Sequence, residues 1–156
     1  MSVAFRRESD EEHLEPKFER PIPPGPNLVT ARGLALMNAR VAECEAAIAA
    51  GGTEEALAEA RRDLRYWSTR VVTAIPAPIP DGEEVAFGTR VTFRLHGAER
   101  TIGIVGADEA DPAADLVGVS APLVRALLGA MASERLDFGG SAGALEVVAI
   151  EVMREP

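Results

Sequence analysis

Two apolar stripes on either side of a pair of glycines constrain most strongly what this chain can fold into. In both stripes apolar residues recur at alternating steps of three and four, which marks one face of a helix. Since glycine readily ends helices, Gly51-Gly52 predicts a tight turn between two helices that pack against each other as a short antiparallel coiled coil. The stripes consist of Leu34, Met37, Val41, Cys44 and Ile48, and of Leu57, Ala60, Leu64, Trp67 and Val71.

Threonine precedes each predicted helix. Thr30 and Thr53 are suited to accept hydrogen bonds from the first turn, so both are predicted N-caps. Glu54 and Glu55 fall in the first turn of the second helix, where the positive end of the helix dipole favours acids. The predicted hairpin covers residues 30–75, with arms of ~20 residues that each span ~30 Å.

The segments on both sides of the hairpin are poor in regular structure. Residues 1–29 are charged and then proline-rich, and we expect an unstructured arm in which Phe5 and Phe18 either dock on a neighbouring surface or stay free. No leader-like apolar run begins the chain, so no signal peptide is expected. Alternating prolines in residues 76–84 predict a linker.

Beyond the linker the apolar pattern changes to that of strands, and residues 85–156 are predicted to form a domain with an antiparallel sheet and one helix. The fold class is therefore α+β. Strands are expected at residues 85–87, 91–93, 101–105, 116–119, 136–138 and 145–152. A helix is expected at residues 123–128, with Ser120 as a possible cap, Pro122 in its first turn and Gly129 at its end.

The charge balance argues against direct binding to nucleic acid. Lys and Arg number 16 against 25 Asp and Glu, a formal net charge of −9. Duplex binding needs a basic stripe that neutralises phosphates. The densest group of basic residues lies on the second predicted helix and comprises Arg61, Arg62, Arg65 and Arg70. Because Asp63 interrupts this group, it is interpreted as a solvated helix face and not as a basic stripe.

The sequence contains few residues of the types that usually form catalytic or cofactor-binding sites. Cys44 is the only cysteine and lies on an apolar stripe, so neither a disulfide nor a cysteine-built zinc site is expected, and the thiol is interpreted as a small core residue. The two histidines, His13 and His96, lie in the charged arm and beside a turn glycine. We expect no enzyme activity, no cofactor, no metal and no small-molecule substrate. No apolar run approaches the ~20 residues of a membrane span, so a cytoplasmic protein is expected.

Two acidic clusters leave alternatives open. The first could bind a divalent cation or be a solvated loop; the loop is favoured because the calcium-loop pattern is missing. It comprises Asp108, Glu109, Asp111 and Asp115. Glu54 and Glu55, at the tip of the hairpin, could enter another protein's cleft and help hold a metal there. Pairing with the helix dipole accounts for them fully and is the favoured interpretation.

Several segments resemble the Gre transcript-cleavage factors. Residues 104–111 (IVGADEAD) and 119–129 (VSAPLVRALLG) resemble the Gre C-terminal domain, residues 85–91 its first strand and residues 147–150 its last. The resemblance implies an FKBP-like fold for the C-terminal domain, without prolyl-isomerase activity. The hairpin is similar too, in residues 29–34 (VTARGL) and 64–67 (LRYW).

In Gre factors the C-terminal domain holds the rim of the RNA polymerase secondary channel, while the hairpin tip enters it and helps the polymerase cleave backtracked RNA. The resemblance therefore implies RNA polymerase as partner, with only indirect contact to nucleic acid and none to a membrane. The gripping segment would be Ser120, Ala121 and Pro122. The family pattern has an acidic or amide residue at the first of these positions and serine at the second.

The hairpin tip departs from the family pattern. Gre factors carry a Gly-Asp-x-x-Glu-Asn type element, whereas residues 51–56 read GGTEEA, and the arms are shorter by about ten residues, or ~15 Å. The hypothesis is a Gre-like polymerase binder without cleavage activity. The regulators of nucleoside diphosphate kinase, which carry the same C-terminal domain on a short hairpin, are similarly arranged. Two alternatives stay open: an active cleavage factor that uses Glu54 and Glu55, and a hairpin adaptor or dimerisation module that does not bind polymerase.

Overall fold

The computed structural model describes residues 19–154, so Phe5, Phe18 and most of the predicted arm lie outside the described residues. Two long helices precede a sheet with one further helix, which confirms the α+β class. In chain order the elements are β1 (Asn27–Val29), α1 (Ala31–Ala50), α2 (Glu54–Thr73), β2 (Ala74–Pro76), β3 (Thr89–Leu95), β4 (Ala98–Val105), a 3-10 turn (Pro112–Ala114), β5 (Leu116–Gly118), α3 (Pro122–Leu127), β6 (Arg135–Phe138) and β7 (Ser141–Val152).

The described chain divides into two units. The helical unit comprises residues 19–25 and 37–73, and the sheet unit comprises residues 26–36 and 74–154. Strands β1 and β2 pair in parallel within the sheet unit, with Asn27 opposite Ala74. The first residues of α1 therefore belong with the sheet unit and not with the rest of the helix, a division that the sequence pattern does not indicate.

The helical unit is the predicted hairpin, with 20 residues in each helix. The turn needs glycine because the backbone φ angles of Gly51 and Gly52 are 77° and 139°, a region that other residues rarely adopt. The Gly51 N–H donates to the Ile48 carbonyl at 3.2 Å and so closes the end of α1. Cys44 of α1 and Ala60 of α2 line the same shallow depression, which places them opposite each other across the hairpin.

The interpretation of the α2 arginines as a solvated face is wrong for Arg70, which is buried, whereas Arg61 and Arg65 are exposed as predicted. The predicted stripe residues of α2 are half-buried, and Tyr66 is the other buried residue of this helix. The guanidinium of Arg20, from the segment before β1, lies 4.0 Å from the centre of the Tyr66 ring, a cation–π contact. Arg65 donates hydrogen bonds to the carboxylate of Glu19. The segment before β1 therefore contacts this face of α2 at Arg65 and Tyr66, while Arg61 and Arg65 remain exposed.

The sheet unit contains a five-stranded sheet of order β5-β4-β3-β7-β6. Three neighbouring pairs are antiparallel, as predicted, whereas β4 and β5 run parallel with Gly103 opposite Leu116. The sheet is thus mixed. A parallel pair requires a crossover between its strands, and the loop that carries Glu109 and the 3-10 turn makes this connection.

Apolar side chains on one face of the sheet pack against α3 and form the core of the unit. Strand residues at alternate positions are fully buried, including Val91 and Phe93 of β3 and Ile102 and Ile104 of β4, as period-two patterning requires. Helix α3 contributes Val124 and Leu127; both have 0% exposure. The position of α3 on the sheet is therefore fixed by burial of its own side chains.

Two expectations about strands are wrong. Asn27–Val29, expected to be unstructured, forms β1 because its partner β2 supplies the hydrogen bonds that its proline-rich neighbours cannot. Residues 85–87, expected to be a strand, have no regular structure, and Gly88 bends the chain with φ of 86°. Val85 is nevertheless buried and exchanges backbone hydrogen bonds with residues 129 and 130 after α3.

Within residues 19–154 no helix has both the length and the apolar character needed to cross a bilayer.

The packing of the hairpin can be tested through Cys44. Burial and then the charges of Asp63 and Glu43 raise the pKa of this thiol, so less of the reactive thiolate is present at pH 8 than in an unfolded chain. We expect iodoacetamide to modify Cys44 more slowly in the folded protein than in urea. Asp63→Asn should speed the folded-state reaction by about twofold, since it removes one half-buried, partly solvent-screened negative charge that raises the pKa of the thiol.

Glu45→Gln is the control for this measurement, because Glu45 is an exposed acid on the same helix that does not contribute to the shift. Equal acceleration by the two substitutions would contradict the pairing of Cys44 with Asp63 across the hairpin.

Candidate functional site

The hairpin tip is a closed turn followed by a capped helix. The Thr53 hydroxyl accepts a hydrogen bond from the Ala56 N–H at 3.1 Å, which confirms the predicted N-cap. The Thr53 carbonyl accepts from the Leu57 N–H at 3.0 Å. The turn consists of Gly51, Gly52 and Thr53, so it carries no carboxylate of its own.

Glu54 and Glu55 lie in the first turn of α2 and are both exposed, which fits the predicted pairing with the helix dipole. Within residues 19–154 no group of three or more His, Cys, Asp or Glu side chains has a geometry that could hold a metal ion. The tip therefore offers two solvent-facing carboxylates and a rigid backbone turn.

The predicted gripping segment forms the start of α3. Ala121 is the N-cap residue, with extended φ and ψ of −63° and 141°, and no side chain caps this helix. The expected cap by Ser120 is therefore wrong. The physical reason is Pro122 at the first helical position, because proline forces the preceding residue into the extended region and so makes Ala121 the boundary.

Ser120 and Pro122 are exposed, whereas Ala121 between them packs against the core. The Ala121 N–H donates to the Gly118 carbonyl at 3.0 Å, and its carbonyl accepts from the Arg125 N–H at 2.9 Å. Both neighbouring elements thus hold the backbone, and the segment presents a hydroxyl and a proline ring to solvent in a fixed geometry.

A third cluster was not predicted from the sequence. It lies within the sheet unit and centres on Glu109, whose side chain is only 2% exposed. The Thr30 hydroxyl donates to Oε1 of Glu109 at 2.5 Å, and the Arg32 guanidinium donates to Oε2 at 2.8 Å. The same Thr30 oxygen accepts the Gly33 N–H at 2.9 Å, so the predicted N-cap of α1 also binds a buried carboxylate.

Two glycines allow the backbone to approach this cluster closely. A Cβ atom on Gly33 would lie 2.8 Å from Oε1 of Glu109, and one on Gly106 would lie 2.4 Å from the Leu28 carbonyl oxygen. Neither position has room for a side chain without movement of its neighbour. Gly33 and Gly106 are therefore steric requirements of the packing between the start of α1, β1 and the loop after β4.

The acidic loop is not simply solvated, as was favoured from its sequence. Glu109 is buried, Asp111 caps the 3-10 turn by accepting the Ala113 N–H at 3.1 Å, and Asp115 lies 3.8 Å from the Arg100 guanidinium. The carboxylates therefore have separate structural roles. The alternative of a shared cation finds no support in this arrangement, since the three side chains bind different partners.

Residues 80–153 match the family model described as "Transcription elongation factor, GreA/GreB, C-term". The match contains β3–β7 and α3, together with Ser120–Pro122 and Glu109. Residues 80–153 are a Gre-type C-terminal domain. The resemblance recognised in the sequence is thus confirmed for this domain, which contains the mixed sheet and α3. No curated sequence matches the chain.

Solved structures of Gre-type proteins resemble the fold. The crystal structure of GreA factor homolog 1 (Gfh1) of Thermus thermophilus shares 17% identity, with 80% of this chain and 97% of that chain covered and a TM-score of 0.36. Thermus aquaticus Gfh1 shares 18% identity, with 80% of this chain and 99% of that chain covered and a TM-score of 0.38. The elongation factor GreA/GreB from Nitrosomonas europaea shares 15% identity, with 80% of this chain and 98% of that chain covered and a TM-score of 0.39.

The structure brings together two segments that carried the resemblance separately. Thr30 and Arg32 come from the helix start that reads VTARGL, and Glu109 from the loop that reads IVGADEAD. Sequence reasoning missed their contact because 79 residues separate Thr30 from Glu109. The sequence did contain two hints. Glu109 follows a strongly apolar strand, and the segment before the first helix offers a hydroxyl and a guanidinium that could satisfy a buried carboxylate.

The contribution of the Glu109 cluster can be measured by removing one hydroxyl. Thr30→Val should lower the free energy of unfolding by about 2 kcal/mol, since it removes a helix cap and a hydrogen bond to a buried carboxylate together. Urea unfolding followed by circular dichroism measures the change.

Thr53→Val is the matched control, because Thr53 caps α2 in the same way but bonds to no carboxylate within the described residues. We expect a cost of about 1 kcal/mol there. If Thr30→Val cost no more than Thr53→Val, the bond from Thr30 to Glu109 would contribute nothing to stability.

Proposed function

We propose that this protein is a Gre-like transcription elongation regulator that binds bacterial RNA polymerase at the secondary channel without stimulating transcript cleavage. In this proposal Ser120, Ala121 and Pro122 contact the polymerase at the channel rim, and the helical hairpin occupies the channel. The site of action is the cytoplasm, and nucleic acid is met only through the polymerase.

The Gre-type C-terminal domain supports polymerase as the partner, because the Gre factors use this domain for the same purpose. The start of α3 also has the properties of a protein-binding segment. Ser120 and Pro122 are exposed, while Ala121 and the next turn of the helix are held by the core. A contact surface that is already rigid loses little conformational entropy on binding.

The observation that carries the absence of cleavage is the structure of the tip. The Gre tip places an aspartate directly after glycine; here that place in the turn is taken by Gly52, with φ of 139°, a conformation that disfavours any side chain. The next residue, Thr53, is committed to capping α2. The turn therefore has no position for the missing acid without a change of its backbone.

Length supports the same conclusion. Each helix of the hairpin has 20 residues, so each spans ~30 Å, about 15 Å less than arms ten residues longer would. Placing a catalytic group even ~1 Å from its productive position can cost ~100-fold in rate. Glu54 and Glu55 would have to make up a shortfall many times larger by a different seating of the whole protein.

The second candidate function is an active cleavage factor, and the exposure of Glu54 and Glu55 favours it. Both carboxylates face solvent at the end of the hairpin, where a polymerase-bound magnesium ion could be met. The two candidates make the same prediction for binding and opposite predictions for the fate of backtracked RNA.

Binding through the start of α3 is tested by Pro122→Asp. The substitution replaces an apolar ring with a charge at an exposed contact and should weaken binding to bacterial RNA polymerase core enzyme by roughly tenfold or more. The fold should survive, since an acid is well tolerated in the first turn of a helix. Fluorescence anisotropy of the labelled protein measures the affinity, and displacement by a Gre factor checks that the channel site is used.

Pro112→Asp is the matched control, because Pro112 is also an exposed proline at the start of a short helical segment in the same unit. It should leave affinity unchanged. Equal affinities for the two variants would remove Ser120–Pro122 from the proposal, and absence of any polymerase binding by the wild-type protein would favour the hairpin adaptor or dimerisation module.

Cleavage is tested with backtracked elongation complexes and magnesium. We expect the protein to leave the RNA 3′ end intact at concentrations that saturate binding, and to slow shortening by an added Gre factor through competition. Magnesium-dependent shortening by the protein alone that is lost in the Glu54→Ala, Glu55→Ala double variant would establish the second candidate instead. Glu43→Ala, an exposed acid farther from the tip on α1, is the control for loss of charge.

A further inference from the structure

A cavity of about 620 Å³ lies within the sheet unit. Its volume falls in the range of ~300–1,000 Å³ that is typical of small-molecule sites. Three stretches of chain form most of its walls: the end of β1 with the start of α1, residues 76–80, and the end of β7 with the two residues after it. Phe87, Gly88 and Glu109 complete the lining. Most of the lining is apolar and includes Val29, Leu34, Ile79, Phe87, Val152 and Met153.

Prolines and a backbone hydrogen bond restrict the movement of one wall. Pro76, Pro78 and Pro80 each restrict φ, so this wall has little freedom to collapse into the cavity. The Ala77 N–H donates to the Val29 carbonyl at 3.0 Å and ties the proline wall to β1. A preformed apolar cavity binds a ligand without the entropic cost of ordering its walls.

The polar groups on the lining favour an anion. Arg32, Arg154 and Glu109 line the cavity, so the local charge is positive although the chain carries −9. Glu109 is already satisfied, because each of its oxygens accepts a hydrogen bond. Arg154 has no ion-pair partner among residues 19–154, and one guanidinium nitrogen of Arg32 binds Glu109 while its side chain stays 48% exposed. Donors for a negatively charged group thus remain available.

Ile79 supplies a separate argument for an occupant. Its side chain lines the cavity and yet is 88% exposed, the most exposed of the large apolar residues in the described chain. A single exposed apolar residue is ordinary, but Ile79 adjoins the apolar lining and extends it into one continuous apolar surface, which is the kind of surface that marks a binding site. An apolar ligand body that fills the cavity would bury Ile79 against Phe87 and its neighbours.

We propose that this cavity binds a small amphipathic organic anion, with its apolar body among Ile79, Phe87 and Met153 and its acidic head at Arg154 and Arg32. The head is a carboxylate, a sulfonate or a phosphate, which share the negative charge that the two guanidinium groups recognise. The site is separate from Ser120–Pro122 and from the hairpin tip, so the proposal does not depend on polymerase binding.

The probe is anilinonaphthalene sulfonate, an aromatic body with one anionic head, titrated by fluorescence into the full-length protein. Phenylnaphthylamine, nearly the same body without the sulfonate, is the neutral comparison and should bind at least about threefold more weakly, the value expected for a solvent-screened charge pair. Decanoate and decyl phosphate, as competitors of the bound probe, then distinguish a carboxylate from a phosphate head.

Two pairs of variants locate the site. Arg154→Gln should weaken the sulfonate probe about threefold and leave the neutral probe unchanged, whereas Arg61→Gln, an exposed arginine outside the cavity, should change neither. Ile79→Ser should weaken both probes by about tenfold because it removes apolar contact area. Val72→Ser is its matched control, since Val72 is 84% exposed and does not line the cavity.

Binding that falls in Arg154→Gln and Ile79→Ser but not in the two controls would establish the site. The proposal is overturned if the probe does not bind, if it binds all four variants as it binds the wild type, or if the neutral probe binds as tightly as the anionic one. All four substitutions are at exposed or rim positions, so the fold is expected to survive them, and circular dichroism verifies this.

Discussion

The buried carboxylate of Glu109 sets the strictest physical constraint in this structure. A charged group with 2% exposure is tolerated only when its oxygens are hydrogen-bonded, and Thr30 and Arg32 satisfy one oxygen each. Because both donors lie at the start of α1, burial of the charge fixes the first turn of that helix within the sheet unit. The approach of Glu109 then excludes a side chain at Gly33, and the approach of the β1 backbone excludes one at Gly106. A single carboxylate thereby accounts for three otherwise unrelated features of the sequence: Thr30, Arg32 and Gly33.

The Glu109 cluster adjoins the parallel ribbon of β1 and β2 in the sheet unit, since Thr30 directly follows Val29. In chain order β1 directly precedes α1 and β2 directly follows α2. Isolated two-stranded ribbons are at best marginally stable, and this one has only three residues in each strand. Contacts around Thr30 and Gly106 supply the tertiary support that the ribbon lacks by itself. The order of this ribbon therefore depends on packing within the sheet unit that involves residues far apart in sequence.

Patterns within a few neighbouring residues were sufficient to predict the two long helices, but they did not predict β1 or the Glu109 cluster at the start of α1. Apolar period, Gly51-Gly52 and the caps at Thr30 and Thr53 are contained within a few neighbouring residues, and each was predicted correctly. Strand β1 was missed because its hydrogen bonds come from β2, whose pairing cannot be read from a proline-rich stretch. The Glu109 cluster was missed for the same reason, since its partners lie 77 and 79 residues away. Resemblance to the Gre family located both segments but gave no reason for their contact.

Binding and tip chemistry are physically separable in this fold. The hydrogen bonds of Thr53 close within four residues, and residues 51–56 are exposed, so the tip can exchange side chains with little effect on packing elsewhere. The start of α3 lacks this freedom, because Ala121 packs on the core and Val124 in the next turn is fully buried. Substitution of the exposed acids at the tip should therefore change the free energy of unfolding little, whereas distortion of the segment at the start of α3 should lower it. A Gre-type scaffold can lose a catalytic tip and keep the geometry of its grip, which is the combination that we propose for this chain.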